Sequence, residues 1–343
     1  MKTAILTEPG NLELREAPTP NCPAGGVLIK VKACGICSAD VKMISQGHKA
    51  LIYPRILGHE IAGIVAMSRT KHFKEGDRVQ VAPGLSCQTC FQCRRGADNQ
   101  CENREILGFT RDGGFADYLS VPIEGSLAAM LNPLPEHVSY VDATLAEPLA
   151  CCINAQEKIN IAIKDTVLIV GAGPLGILHA GLARMRGAEK ILIAEVEDHR
   201  RRTAKTLGVC QVLDPSGEHF FQAVMDATDQ RGVDAIIFAC SECGLDQIFF
   251  KMLAPGGRIS LFSGTPDRLS RLQLDSNLIH YYEFLITGAY GCTAAQNRQA
   301  LNMIASFQLP VQKIITHRVS LDNIHQGLEN TRSKKALKSI VEV

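Results

Sequence analysis

The stretch from Thr166 to Glu195, "TVLIVGAGPLGILHAGLARMRGAEKILIAE", constrains this chain more than any other. It opens with a short, continuous apolar run, the signature of a strand buried on both faces. The run stops at Gly171-Ala172-Gly173-Pro174-Leu175-Gly176, a G-x-G-x-x-G spacing, and helical periodicity follows. A second buried run then ends on an acid, Glu195. The glycine pattern alone is weak. Placed between a strand and a helix, with an acid closing the next strand, it marks a turn built for a dinucleotide. Gly171 permits the tight turn, Gly173 lets the backbone approach a pyrophosphate, and Gly176 lets helix and strand pack closely. Pro174 and Leu175 lie in the same cofactor-binding turn. The helix N-terminus offers free N–H groups to the anion. Glu195 suits the ribose hydroxyls and repels a 2′-phosphate, which favours NAD over NADP. Arg200, Arg201 and Arg202 follow closely, pull the other way, and add Arg200 to the candidate cofactor residues. A glycine-rich turn that binds no dinucleotide is the alternative.

Further strand-like runs, "CQVLD", "VDAIIFAC", "GGRISLFSG" and "FLITGAYG", alternate with helical stretches. That alternation predicts βαβ units and a doubly wound parallel sheet, over about 151–289. The flanks differ. "VLIKVKA" and "EIAGIVAMS" are β-branched runs broken by Gly and Pro, as in a β-rich domain. The last segment returns to mixed helix and strand, so 1–150 and 290–343 are expected to form one β-rich domain around the other, in a chain that is α/β as a whole.

Composition sets the outer limits. The net charge is +1 and charged residues make up 21% of the chain, which leaves no bias toward nucleic acid or anionic membrane. No apolar run reaches the length of a membrane span. The opening "MKTAILTEPGNLELREAPTP" does not resemble a signal peptide. An odd count of 13 cysteines then argues for a reducing cytoplasm with thiols and metal sites, not a disulfide scaffold.

Four of those cysteines, Cys87, Cys90, Cys93 and Cys101, fall in a polar stretch with little hydrophobic periodicity. At this spacing four thiolates suit a tetrahedral structural zinc with no open position. The metal would fold a lobe, at about 84–104, that lacks its own core. An iron–sulfur cluster and a pair of disulfides are the competing readings.

A second constellation lies outside that lobe. Cys37 in "GICSADVK" and the pair His59-Glu60 in "GHEIAG" offer a thiolate, an imidazole and a carboxylate. A catalytic zinc takes three protein ligands and keeps a place open for water or substrate. Glu147, in the apolar context of "LAEPLACC" and directly before Pro148, is the candidate third ligand. It also reads as a plain acid at a helix N-terminus. Ser38 reads as a helix N-cap, with Gly47 as the stop.

Together "GICSAD", "GHEIAG", "GDRV", the four-cysteine lobe, "DGGFADY", "AEPLA" and "VGAGPLG" carry a resemblance over essentially the whole chain. The sequence resembles the zinc-dependent medium-chain alcohol and polyol dehydrogenases. Glu147 is similar to the residue found in the sorbitol, threonine and sugar-alcohol-phosphate branch. "GFTRDG" and "AEVEDHR" resemble stretches of cyclitol dehydrogenases. The resemblance implies a GroES-like catalytic domain split around a Rossmann domain, a catalytic and a structural zinc, NAD, and a homodimer or homotetramer. It implies that Cys37, His59 and Glu147 bind the catalytic zinc, that Glu60 is an alternate ligand, and that Asp40 hydrogen-bonds His59 and fixes its tautomer.

The implied reaction is NAD-linked oxidation of a secondary alcohol, or the reverse. The substrate classes are polyols, sugar alcohols and their phosphates, cyclitols, or threonine and other amino alcohols. An NADPH-linked ketone reductase and a catalytically silent nucleotide-binding relative are the alternatives. The chain departs from the family pattern where a proton relay begins: Ala39 stands where relatives carry Ser or Thr, and Lys42 where many carry His. Ser38, water assisted by Glu60, or a neighbouring hydroxyl of the substrate would have to serve. Ala289-Tyr290 replaces the Arg-Tyr of sorbitol-type relatives, and Met43 and Ile44 replace aromatic residues. These changes weigh against sorbitol itself.

Overall fold

The computed structural model describes every residue except 123–129, 207, 209, 267, 268, 272 and 273. The chain divides into two units, Met1–Ala150 with Cys292–Val343, and Cys151–Gly291. The second therefore runs two residues past 289. Asn154 Nδ2 donates to the Gly291 carbonyl at 2.8 Å, which ties Tyr290 and Gly291 to that unit.

The first unit is built on a seven-stranded, mostly antiparallel sheet. Its main path runs Leu131–Pro133, Arg78–Val81, Glu60–Ser68, Val27–Ile36, Lys338–Glu342, Ile315–Ser320. Val27–Ile36 is the axis, and its apolar run is buried almost throughout. One edge pairs with Glu60–Ser68 along its length. The other edge is shared: Tyr118–Val121 takes residues 27–30, and the C-terminal strand takes residues 33–36. The strand is thus paired on both sides where it reaches Cys37, and three distant segments meet there. Side chains such as Ile29, Ile61, Leu119 and Phe115 pack the core beneath it. Each fully buried aliphatic or aromatic group contributes roughly 1.5–3 kcal/mol.

The second unit holds a six-stranded parallel sheet in the order Gln211–Leu213, Lys190–Ala194, Thr166–Val170, Val233–Phe238, Leu253–Leu261, Leu285–Gly288. The strand order reverses at Thr166–Val170, whose five residues are all buried. The carboxyl end of a strand at such a switch point is where doubly wound sheets bind ligands. The chain there passes through Gly171 into the helix Pro174–Met185. Among the described residues no helix is long and apolar enough to cross a membrane.

Candidate active site and metal centres

Cys37 ends the axial strand and caps the helix Ser38–Gln46. This corrects the expectation for Ser38, which is the exposed first residue of the helix and not its N-cap. The reason is a capping box: Cys37 is extended (φ −98°, ψ 153°), and its N–H donates to Asp40 Oδ2 at 2.9 Å. Gly47 does terminate the helix, at φ +73°. Asp40 is fully buried in the first helical turn, where a negative charge is favoured. Its other oxygen lies 3.4 Å from the Gly58 N–H and 3.4 Å from His59 Nδ1. With Nδ1 facing Asp40, Nε2 is left as the metal-facing nitrogen.

The ligand atoms of Cys37, His59 and Glu60 lie within 4.8 Å of one another. A thiolate, an imidazole and a carboxylate in one cluster suit tetrahedral zinc with a place left open. Burial disfavours the charged His59 ring, but Asp40 and then Cys37 hold it well above the ordinary histidine range. The site is thus arranged to hold positive charge. Glu147 lies in the first turn of the helix Ala146–Lys158. Its carboxylate is within 4.8 Å of Cys292 Sγ.

Two features at this centre escaped sequence reasoning. Lys338, in the C-terminal strand, donates to Glu60 Oε1 at 2.5 Å and also lies against Oε2. Both side chains are buried, at 4% and 1% exposure. Burial works against the ammonium, but Glu60, Cys37 and, more weakly, Glu147 keep it charged. Phe109, in "GFTRDG", forms an apolar wall: its ring centroid is 5.1 Å from that of His59 and 6.0 Å from that of His48. For Lys338 the available signal was a lone lysine inside "ALKSIV", a run with no polar alternation.

In the cysteine lobe the sulfurs of Cys90 and Cys93 are 3.5 Å apart, those of Cys87 and Cys101 3.5 Å, and those of Cys90 and Cys101 4.0 Å. Four thiolates about 2.3 Å from one zinc would stand roughly 3.8 Å apart. The separations are too long for a disulfide bond, and the cluster encloses the space of a single ion. The backbone turns toward it: Cys87 N–H donates to Cys101 Sγ and Cys90 N–H to Cys87 Sγ, both at 3.3 Å. The Thr89 N–H and hydroxyl pull Cys87 down to about 5, while burial and the neighbouring sulfurs push Cys93 up to about 12. Four such thiols become anions together only around a cation. The pairing of Gly84–Leu85 with Glu105–Ile106 closes the base of the lobe.

The nucleotide turn fits its expected ligand at Gly176, Gly173, Arg200 and Glu195. A Cβ on Gly176 would fall 1.9 Å from the Gly171 carbonyl, so only glycine allows this approach of helix to strand. A Cβ on Gly173 would meet only Arg200 Nη1, at 3.7 Å. Space for a phosphate therefore lies over Gly173, and its helix end has no side-chain cap. Arg200 reaches that space, and its Nε is buried without a hydrogen-bond partner in the described structure. Glu195 is anchored at the sheet end, accepting from the Ala172 and Glu197 N–H groups at 2.8 and 2.9 Å.

Comparison with known proteins agrees with this architecture. Residues 23–131 match the model of the alcohol dehydrogenase GroES-like domain, and residues 174–306 that of the zinc-binding dehydrogenases. The chain is 33% identical to an L-threonine 3-dehydrogenase of Pyrococcus horikoshii, over 99% of this chain and 98% of the relative. It is 34% identical to a D-altritol 5-dehydrogenase of Agrobacterium fabrum, over 80% of this chain and 82% of the relative. A solved structure from Sinorhizobium meliloti 1021, described as a zinc-binding dehydrogenase and bound to NADP, superposes with a TM-score of 0.89. It is 27% identical, with 100% of this chain and 99% of that one covered.

The chain belongs to the zinc-dependent medium-chain alcohol and polyol dehydrogenases, with a GroES-like domain and a Rossmann-type parallel sheet. Within that family it is a zinc-dependent alcohol oxidoreductase.

Proposed function

We propose that the protein oxidises a secondary alcohol of a polyol, sugar alcohol, sugar-alcohol phosphate or cyclitol to the ketone with NAD, or runs the reverse reaction. The observation that carries this reading is the clustering of Cys37, His59 and Glu60, with Asp40 bracing two of the three. Cys37 and His59 would hold the reactive zinc, with Glu147 as the third ligand and Glu60, grouped with Cys37 and His59, as the alternate one. When bound, the metal lowers the pKa of a substrate hydroxyl, and the nicotinamide accepts hydride. The chain supplies the rest. Asp40 fixes the His59 ring, Phe109 keeps water from one side of the centre, and Glu147 and Glu60 supply negative charge. Ala39 has no hydroxyl to pass a proton onward. With Glu60 buried against Lys338, the proton passes through the hydroxyl on the substrate's adjacent carbon, which a polyol carries.

Glu195 supports NAD. Its carboxylate is held by two backbone N–H groups and cannot turn away from a 2′-phosphate. Arg200 then serves the pyrophosphate over Gly173. The NADP seen in the Sinorhizobium meliloti relative makes the phosphorylated cofactor the second reading. Threonine is the second substrate reading, from the Pyrococcus horikoshii relative. The odd count of 13 cysteines, with five of them in the two proposed metal centres, favours a reducing cytoplasm. Among the described residues the strand Leu285–Gly288 pairs on one side only, with Leu253–Leu261; its Leu285 and the preceding Tyr281 and Tyr282 are exposed. An open edge of that kind suits a homodimer or homotetramer.

The test is a panel of sugar alcohols, inositols, their phosphates and L-threonine, each with NAD and NADP, followed by absorbance of the reduced cofactor. Turnover of a polyol with NAD supports the proposal. Turnover confined to threonine, or to NADP, replaces the corresponding part.

A further inference from the structure

We propose that Lys338 is a positioning residue of the reactive metal centre: it holds the Glu60 carboxylate in a notch over Gly35 and so sets how far Glu60 occupies the metal beside Cys37 and His59. This rests on the reading of Cys37 and His59 as metal ligands.

Glu60 belongs to two clusters at once. Its carboxylate is within 4.8 Å of the Cys37 and His59 ligand atoms, and Lys338 Nζ is 2.5 Å from its Oε1. An ammonium and a divalent cation compete for one carboxylate's charge. Neither partner of the ion pair reaches solvent, so water does not screen the contest and fixed groups decide it.

The backbone builds the place where the carboxylate rests. Gly35 lies opposite Glu60 across one strand edge and opposite Ile340 across the other. A Cβ on Gly35 would stand 1.8 Å from Glu60 Oε2. The carboxylate therefore lies in the space that glycine leaves, between its own strand and the strand that brings Lys338. Breaking a buried pair by removing one partner leaves an uncompensated charge. The cation that can take up Glu60 is then the metal, whose open position the carboxylate would fill.

Zinc loss to a strong chelator tests this on the full-length enzyme, read as the phase that His59→Ala removes. In Lys338→Met that phase slows by about tenfold or more, the KM for the alcohol rises and kcat falls. Lys338→Arg restores the parental rate, and so does adding Glu60→Gln to Lys338→Met. Gly35→Ala, which evicts the carboxylate from the opposite side, also slows zinc loss and serves if Lys338→Met does not fold. A parental or faster rate of loss, in whichever of these two variants retains the parental circular dichroism and thermal midpoint, overturns the proposal. A parental enzyme that holds zinc only in the cysteine lobe overturns both the proposal and the metal reading beneath it. Full zinc occupancy with unchanged loss in the folded variants overturns the role of Lys338 alone.

Discussion

Asp40 Oδ1 stands 3.4 Å from His59 Nδ1, and its other oxygen holds the N–H of Cys37. One buried carboxylate thus braces two of the proposed ligands, through a ring and through a backbone. Partners of this kind typically contribute 10–100-fold to metal affinity or activity. Asp40→Asn keeps the size and loses the charge. We expect zinc affinity or kcat/KM to fall by about 10–100-fold with the fold retained. A change within twofold, by chelator competition and steady-state kinetics, would show that Asp40 acts only as a helix cap.

Gly173 and Gly176 should fail differently. A methyl on Gly173 meets only Arg200 at ordinary contact distance, so Gly173→Ala should fold normally. It occupies the space over the helix N-terminus, and the Kd for the dinucleotide should rise about tenfold or more, roughly the loss of 1.4 kcal/mol. A methyl on Gly176 collides with the Gly171 carbonyl, so Gly176→Ala should lower the thermal midpoint as well. Fluorescence titration with NADH alongside thermal denaturation separates the two. Equal stability losses would contradict the assignment.

His179 gives the second unit an acid sensitivity. Its ring is fully buried beside Gln156 and edge-on to Phe262, and burial, reinforced by Arg186, pushes its pKa down to about 3. An unfolded histidine titrates near 6.5. Between those values the unfolded chain binds a proton that the native unit refuses, so stability falls as pH drops from above 6.5 toward 3. At pH 5 the loss is about 2 kcal/mol. His179→Leu should lose less stability between pH 7 and pH 5 than the parent by about that amount. Identical pH dependence in chemical denaturation would refute it.

The cysteine lobe has two-residue strands, two single-turn helices and few buried side chains of its own. Cys93→Ser should remove one metal ion, open residues 87–101 to limited proteolysis and lower the thermal midpoint. A lobe that resists protease after full metal removal would show that packing, not zinc, holds it.

Much of this was legible in the sequence because the chemistry is local. The glycine turn, the acid at Glu195 and the four lobe cysteines are spacing signals, and the strand–helix alternation around 166–288 sets the parallel sheet. The role of Asp40 followed from the family resemblance and not from spacing. Lys338 was not legible, because its partner lies 278 residues away and the strand pairing that joins them is non-local. The Gly35 notch was hidden for the same reason: nothing in "ACGIC" says which side chain will lie over the glycine. Ser38 was misread because serine is the commoner cap; Cys37 won through the reciprocal bond with Asp40 and its extended backbone.

The central claim is that one unit carries both metal centres and that Cys37 belongs to the reactive one. The direct measurement is zinc per chain, with alcohol-dependent NAD reduction, in the parent and in Cys37→Ser. The account predicts about two zincs in the parent. It predicts loss of about one of them in Cys37→Ser, with circular dichroism unchanged and turnover reduced about a thousandfold or more. Full zinc occupancy with near-parental turnover in Cys37→Ser would contradict it.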